Sequence, residues 1–208
     1  MDSTIIKNET LDDLVKMCGA EAKVIDETSR LAMEGKIDIK TTLSSRVSLL
    51  KGKPKSMIED VIKGIKYNQG SNTLIKTLNS NNFNTYLITG GFKPISTYVG
   101  ERLEFQNIIS NEFEFENGNT FKGTYVPIAG EKNSKLEFMR KLSAEKDIEF
   151  KDFVALGDGA NDLGMLKNSG LGIGYNSHKI IKDNIETQIN FTDLKSVLYF
   201  LQIKKENF

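Results

Sequence analysis

The chain holds one cysteine, Cys18, in 208 residues. An intrachain disulfide framework is therefore excluded, and a reducing compartment is expected. Cys18 falls on the apolar side of a helical pattern and reads as a packing residue. Histidine is as scarce: His178 stands alone, in what reads as a polar helix start. Acid–base chemistry must then rest on carboxylates. No run of 18 apolar residues appears, nor a positively charged start followed by an apolar stretch. Neither a membrane span nor a secretory leader is expected. Charge of either sign is not in excess, since Lys+Arg and Asp+Glu both number 28. Without a basic run or stripe, nucleic acid is not an expected partner. The chain reads as a soluble, cytoplasmic protein acting on a small molecule, with no nucleic-acid or membrane partner, as a monomer or homodimer.

Hydrophobic residues make up 38% of the sequence, enough for one generous domain or a domain with an insert. Residues 10–70 read as purely helical. Thr10-Leu11-Asp12-Asp13 has the form of a capping box, followed by Leu14, Val15 and Cys18 on one face and Gly19 as a stop. A second helix runs to Gly35, a third from Asp38 to Gly52, and a fourth follows Pro54. From Ser71, which reads as a helix cap, strands and helices alternate. Thr85-Tyr86-Leu87-Ile88 is a buried strand ending in Thr89-Gly90-Gly91. IISNEFEFENGNTFKGTYV reads as a hairpin turning at Asn117-Gly118-Asn119. A helix over 134–146 leads to the strand Phe153–Leu156, which ends in Gly157-Asp158-Gly159. The strands LGIGY and TQIN and a last helix over 194–201 complete the chain. This alternation predicts an α/β fold with a doubly wound, mostly parallel sheet. The expected domains are a core of 1–9 and 71–208 and a helical cap of 10–70.

The most specific local signal is LGDGANDLGML. Asp158 leaves a buried strand toward the cleft, and Asp162 opens the next helix. A helix cap needs one acid; two acids around Asn161 suggest a shared cation, and oxygen ligands of this kind suit Mg²⁺. An EF-hand is excluded because its third and sixth positions would be Ala160 and Leu163. A Walker-type lysine is also lacking. Thr89-Gly90-Gly91-Phe92 offers a hydroxyl and bare N–H groups as an anion cradle. Taken singly, Lys135 (with Lys132, Lys141 and Lys146 near it), Glu9 and Arg46 read as ordinary surface charges.

Taken in order, these residues resemble the haloacid dehalogenase superfamily of phosphohydrolases, and most closely its phosphoserine phosphatases. The family's motifs are D-x-D-S-T, a Ser or Thr followed by Gly-Gly-Phe, a helical Lys, and G-D-G-A-N-D. Asp2-Ser3-Thr4, Thr89 to Phe92, Lys135 and Gly157 to Asp162 take those places. Asn8-Glu9-Thr10, Met33-Glu34-Gly35 and Ser45-Arg46-Val47 take those of a substrate clamp. The resemblance spans Asp2 to about Leu201 and implies a Rossmann-like core with a helical cap after the first strand.

The implied activity is Mg²⁺-dependent release of phosphate from O-phosphoserine, the last step of serine biosynthesis. The resemblance gives Asp2 the proton transfers and places the metal site at the upstream Asp, the Asp2 backbone carbonyl, Asp158 and Asp162, the last orienting a metal-bound water. Thr89, Gly90 and Lys135 would hold the phosphoryl group, with Asn161 nearby in the substrate site. Glu9 would meet the substrate ammonium, Arg46 its carboxylate as a bidentate pair, and Met33 would supply an apolar wall. Other readings are another small phosphomonoester, such as phosphothreonine or phosphohomoserine, or a phosphoamino-acid-binding module without turnover.

In D-x-D-S-T the x is Met1. The resemblance therefore puts the nucleophilic Asp, and the central strand leading to it, upstream of Met1. Unpaired backbone groups left by that strand would cost about 1–3 kcal/mol each, so low stability is expected of the 208 residues alone. The intact remainder of the motifs favours a natural protein that starts upstream. For the residues as written, an aspartyl-phosphate is not expected to form.

Overall fold

The computed structural model describes residues 1–128 and 134–208; Lys132 lies outside them. Four helices come first: α1 (Thr10–Met17), α2 (Ala22–Met33), α3 (Ile39–Leu49) and α4 (Met57–Lys63). Gly19, Gly35 and Gly52 follow the first three at φ of +88°, +74° and +74°, the left-handed conformation that ends helices. Asp38 caps α3 by accepting the Thr41 N–H at 2.7 Å. The capping box expected at Thr10 does not form: Glu9 is the N-cap residue of α1, without a side-chain cap bond. The Thr10 N–H is instead donated to Asp2 Oδ1 at 3.2 Å, so a tertiary contact replaces the local one. Nor does Ser71 cap its helix; Gly70 precedes α5 (Ser71–Ser80) at φ +85°.

The remaining elements are β1 (Tyr86–Phe92), α6 (Lys93–Arg102), β2 (Asn107–Glu116), β3 (Thr120–Val126), α7 (Ser134–Lys146), β4 (Val154–Gly157), α8 (Leu163–Asn168), β5 (Leu171–Tyr175), α9 (Lys179–Lys182), β6 (Thr187–Ile189) and α10 (Ser196–Phe200). The last helix is shorter than the 194–201 predicted. The strands form two three-stranded sheets, β1-β2-β3 and β4-β5-β6. Pairing is parallel except between β2 and β3. The hairpin turn is where the sequence places it: Asn117 and Gly118 sit at φ +50° and +72°, a conformation Asn-Gly supplies readily.

β1 and β4 face each other across an apolar slot of about 450 Å³. Leu87 lines it from β1, Ala155 and Leu156 from β4, Leu78 from α5 and Met139 from α7. Among the described residues no strand lies between the two sheets. The predicted α/β class with a parallel-rich sheet and no first central strand therefore matches the observed architecture.

The hairpin does more than extend a sheet. Gly52 N–H donates to Phe121 O at 2.8 Å, and Phe121 N–H to Lys53 O at 2.9 Å. Phe92 stacks on Phe113 with ring centroids 3.8 Å apart, and Phe121 meets Phe113 edge-on at 4.9 Å. The hairpin is thus pinned to the end of β1 by aromatic packing and to the α3–α4 connection by its backbone.

Candidate active site

The first residues are folded into a tight turn. Thr4 N–H donates to Asp2 O at 2.6 Å and Ile5 N–H to Met1 O at 2.8 Å, while Ser3 adopts φ +53°. Asn68 fixes this turn from outside, donating to the Ser3 and Thr4 carbonyls at 3.1 and 2.9 Å. The turn delivers Asp2 to the ends of β1 and β4, beneath α1–α3.

β1 leaves the β2 ladder between Ile88 and Phe92. Within that bulge Thr89 Oγ1 accepts the Gly91 N–H at 2.9 Å, and Asn111 donates to Gly90 O at 2.7 Å. Gly91 is tightly enclosed: a Cβ there would lie 3.0 Å from Asp2 Oδ2. At the end of β4, Asp162 folds back on its own loop. Its Oδ2 accepts the N–H groups of Asp158 and Gly159, each at 3.2 Å. Its Oδ1 lies 2.6 Å from Lys135 Nζ, a pair buried on both sides. Asp158 Oδ1 accepts the Thr4 hydroxyl at 2.5 Å.

These groups line one small cavity of about 80 Å³. Asp2, Thr89, Gly90, Lys135, Asp158 and Asp162 form its floor, with Asn161 beside them. Glu9, Met33 and Arg46 close it from the helical side. Every site residue expected from the sequence therefore reaches the same space. Met33 also ties the two sides together: its carbonyl accepts the Ala160 N–H at 2.9 Å, and Gly159 has no Cβ to collide with its sulfur.

The electrostatics are those of crowded acids. Burial pushes the Asp2 carboxyl above its usual range, against the Met1 amine and the Thr10 N–H. Burial and then Asp162 push Asp158 up, despite the Thr4 hydroxyl. Glu9, whose Oε1 accepts the Ser3 hydroxyl at 2.5 Å, is raised to about 8 by burial and then by Asp2. Burial alone would raise Asp162, but Lys135 holds it below its usual range. Lys135 stays firmly protonated, because Asp162 outweighs its own burial.

Five acids, Asp2, Glu9, Asp12, Asp158 and Asp162, thus line the cavity with Lys135 and Arg46, a surplus of acidic groups that a cation would relieve. Among the described residues, no three acidic, histidine or cysteine side chains converge to enclose an ion. Asp162, expected as a metal ligand, has both oxygens engaged. The Asp158 carboxylate and the Asp2 backbone carbonyl are hard oxygens that fit Mg²⁺, which commonly takes one or two carboxylates and fills its shell with water and substrate oxygens.

Arg46 is more constrained than a bidentate clamp requires. Its Nε lies 2.8 Å from Asp12 Oδ1, an ion pair whose N–H is not aligned with the oxygen. Its Nη2 donates to Ile25 O at 2.8 Å and Thr28 Oγ1 at 2.7 Å. Among the described residues only Nη1 remains without a partner, so this rotamer cannot present a two-nitrogen fork. Asp12, which the sequence offers only as part of a capping box, is a buried member of the site.

Residues 1–167 match the haloacid dehalogenase-like hydrolase family. The phosphoserine phosphatase of Lactococcus lactis subsp. lactis is 32% identical over 97% of this chain and 92% of its own. That of Methanocaldococcus jannaschii is 32% identical over 97% and 94%. A substrate-bound phosphoserine phosphatase complex superposes with a TM-score of 0.90 at 31% identity, covering 96% of this chain and 94% of the other. A phosphoserine phosphatase solved as a phospho-aspartyl intermediate analogue gives 0.89 at 31% identity, covering 96% and 95%. With its α/β architecture and its acids, lysine and glycines converging as described, the chain belongs to the haloacid dehalogenase-like hydrolases and, within them, to the phosphoserine phosphatase family.

Proposed function

We propose that this site hydrolyses O-phosphoserine to serine and phosphate with Mg²⁺, in the service of serine biosynthesis. The observation that carries this reading is the cavity itself. One wall offers phosphate-binding chemistry, in Thr89, Gly90 and Lys135. The opposite wall offers amino-acid-binding chemistry, in Glu9 and Arg46. Residues 10–70 act in this reading as a cap over a core of 1–9 and 71–208.

The Asp2 backbone carbonyl and the Asp158 carboxylate would hold the Mg²⁺, which would draw charge from the phosphoryl oxygens when bound. Lys135 Nζ, held by Asp162, and the Thr89 hydroxyl stabilise the charge that spreads over those oxygens. Burial raises the Asp2 carboxyl above its usual range, which suits it to carry the proton given to the serine oxygen as the P–O bond breaks. Asp2 then takes a proton from the water that releases phosphate. In the proposed route the phosphoryl group passes to an aspartate joined to the Met1 amine. The Met1 amine is buried beside Lys135, Asp2 and Asp162, and the likeness to a phospho-aspartyl intermediate analogue supports the same route. Glu9 receives the substrate ammonium, which would restore its ionised form. Met33 forms the apolar side of the lid.

The test is phosphate release from O-phosphoserine in the presence of Mg²⁺, with O-phosphothreonine as competitor. Two forms are compared: the 208 residues alone, and the same chain preceded by a short apolar strand ending in aspartate. Turnover by the extended form, with preference for phosphoserine, supports the reading. Binding without turnover in both forms overturns it in favour of a binding module.

A further inference from the structure

A buried carboxylate that the phosphate chemistry does not use lies on the helical side of the cavity. Asp12 sits on α1 with its side chain almost fully enclosed. Its Oδ1 faces Arg46 Nε at 2.8 Å, and its Oδ2 accepts the Ser29 hydroxyl of α2. Thr28 and the Ile25 carbonyl, also on α2, hold Nη2. Two of the three guanidinium nitrogens are thereby assigned to the protein, and the third is left to the cavity. An unrestrained arginine has many rotamers, and ordering it on binding costs affinity.

We propose that Asp12 is a positioning residue for ligand recognition. Held by Ser29, it fixes Arg46 so that Nη1 alone is presented to a ligand carboxylate. The inference rests on the reading that Arg46 meets a carboxylate. It further implies that the contact is made through one nitrogen, not through the two-nitrogen fork typical of arginine–carboxylate pairs.

Affinity, not turnover, reads this most directly. Calorimetry would compare O-phospho-L-serine with O-phosphoethanolamine, which keeps the phosphate and ammonium and lacks the carboxylate. D12A is expected to weaken O-phospho-L-serine about tenfold, while O-phosphoethanolamine changes less than about twofold. D12N keeps the shape but removes the charge that faces Nε, and is expected to fall between D12A and the wild type. If D12A does not fold, S29A decides, with the same selectivity and a loss of about two- to threefold. Equal weakening of both ligands would make Asp12 a structural residue only, and an unchanged or raised affinity for O-phospho-L-serine would also overturn the proposal. A wild-type chain that binds the two ligands equally overturns both this inference and the reading beneath it. A wild-type preference that survives D12A overturns this inference alone.

Discussion

At the scale of single residues, Glu9 shows how the site stores charge it cannot use by itself. Its carboxyl is raised from 4.5 to about 8 by burial and then by the neighbouring Asp2. Between those two values the folded chain holds a proton that the unfolded chain has released. Stability is therefore highest below pH 4.5 as far as Glu9 is concerned, and falls as pH rises through that window. In the variant E9Q that part of the slope disappears. Denaturant midpoints measured at about pH 5 and about pH 8.5 should differ less for E9Q than for the wild type. An equal slope in both would show that Glu9 is not the group responsible. The same substitution removes the carboxylate proposed to meet an ammonium, so a gain in stability at alkaline pH should accompany a loss of ligand affinity.

At the scale of elements, β4 and α8 approach so closely that only glycine fits at the end of the strand. A Cβ on Gly157 would lie 2.3 Å from Asp162 Cγ and 2.5 Å from its Cβ. Asp162 cannot step aside without giving up Lys135 and two backbone N–H groups. Gly157→Ala should therefore lower activity of the extended chain at least about 100-fold. It should also cost about 1–3 kcal/mol of stability, read from a denaturant melt. Near wild-type turnover would mean that the loop can relocate Asp162. Elements also show what a sequence can and cannot disclose. The stops at Gly19, Gly35 and Gly52 and the Asn117-Gly118 turn were legible, because each is dictated by the backbone conformation of a few adjacent residues. The floor of the site was legible as well, since Asp158 and Asp162 are four residues apart and lie at a strand end. The start of α1 was misread for a tertiary reason: the donor a local cap would have served goes to Asp2. Asp12 was missed because an acid in the first turn of a helix also satisfies the helix dipole. Nothing local distinguishes that role from pairing with an arginine 34 positions away.

At the scale of the whole molecule, the two half-sheets set where the fold is weakest. β5 is paired on both sides at Ile173 and Gly174, whereas β4 is paired on one and turns the other toward the slot. β2 pairs with β1 through residues 107–111 and with β3 through residues 112–116, so along each half it has one partner, as β1 does. Hydrogen exchange followed by mass spectrometry should find the amides of β5 protected more than those of β4. Equal protection of β4 and β5 would mean that the slot is closed in solution. A second whole-molecule consequence comes from the hydrogen bond between Ala160 and Met33. Ala160 lies in the turn between Asp158 and Asp162, so the bond that holds the helices down belongs to the turn that presents both acids. If residues 10–70 act as the proposed cap, an opening that parts Met33 from this turn breaks the bond, and closure over the next substrate makes it again. In that reading exit and re-arming are coupled steps of one cycle, with their shared checkpoint on a backbone N–H that no side-chain substitution removes, short of proline.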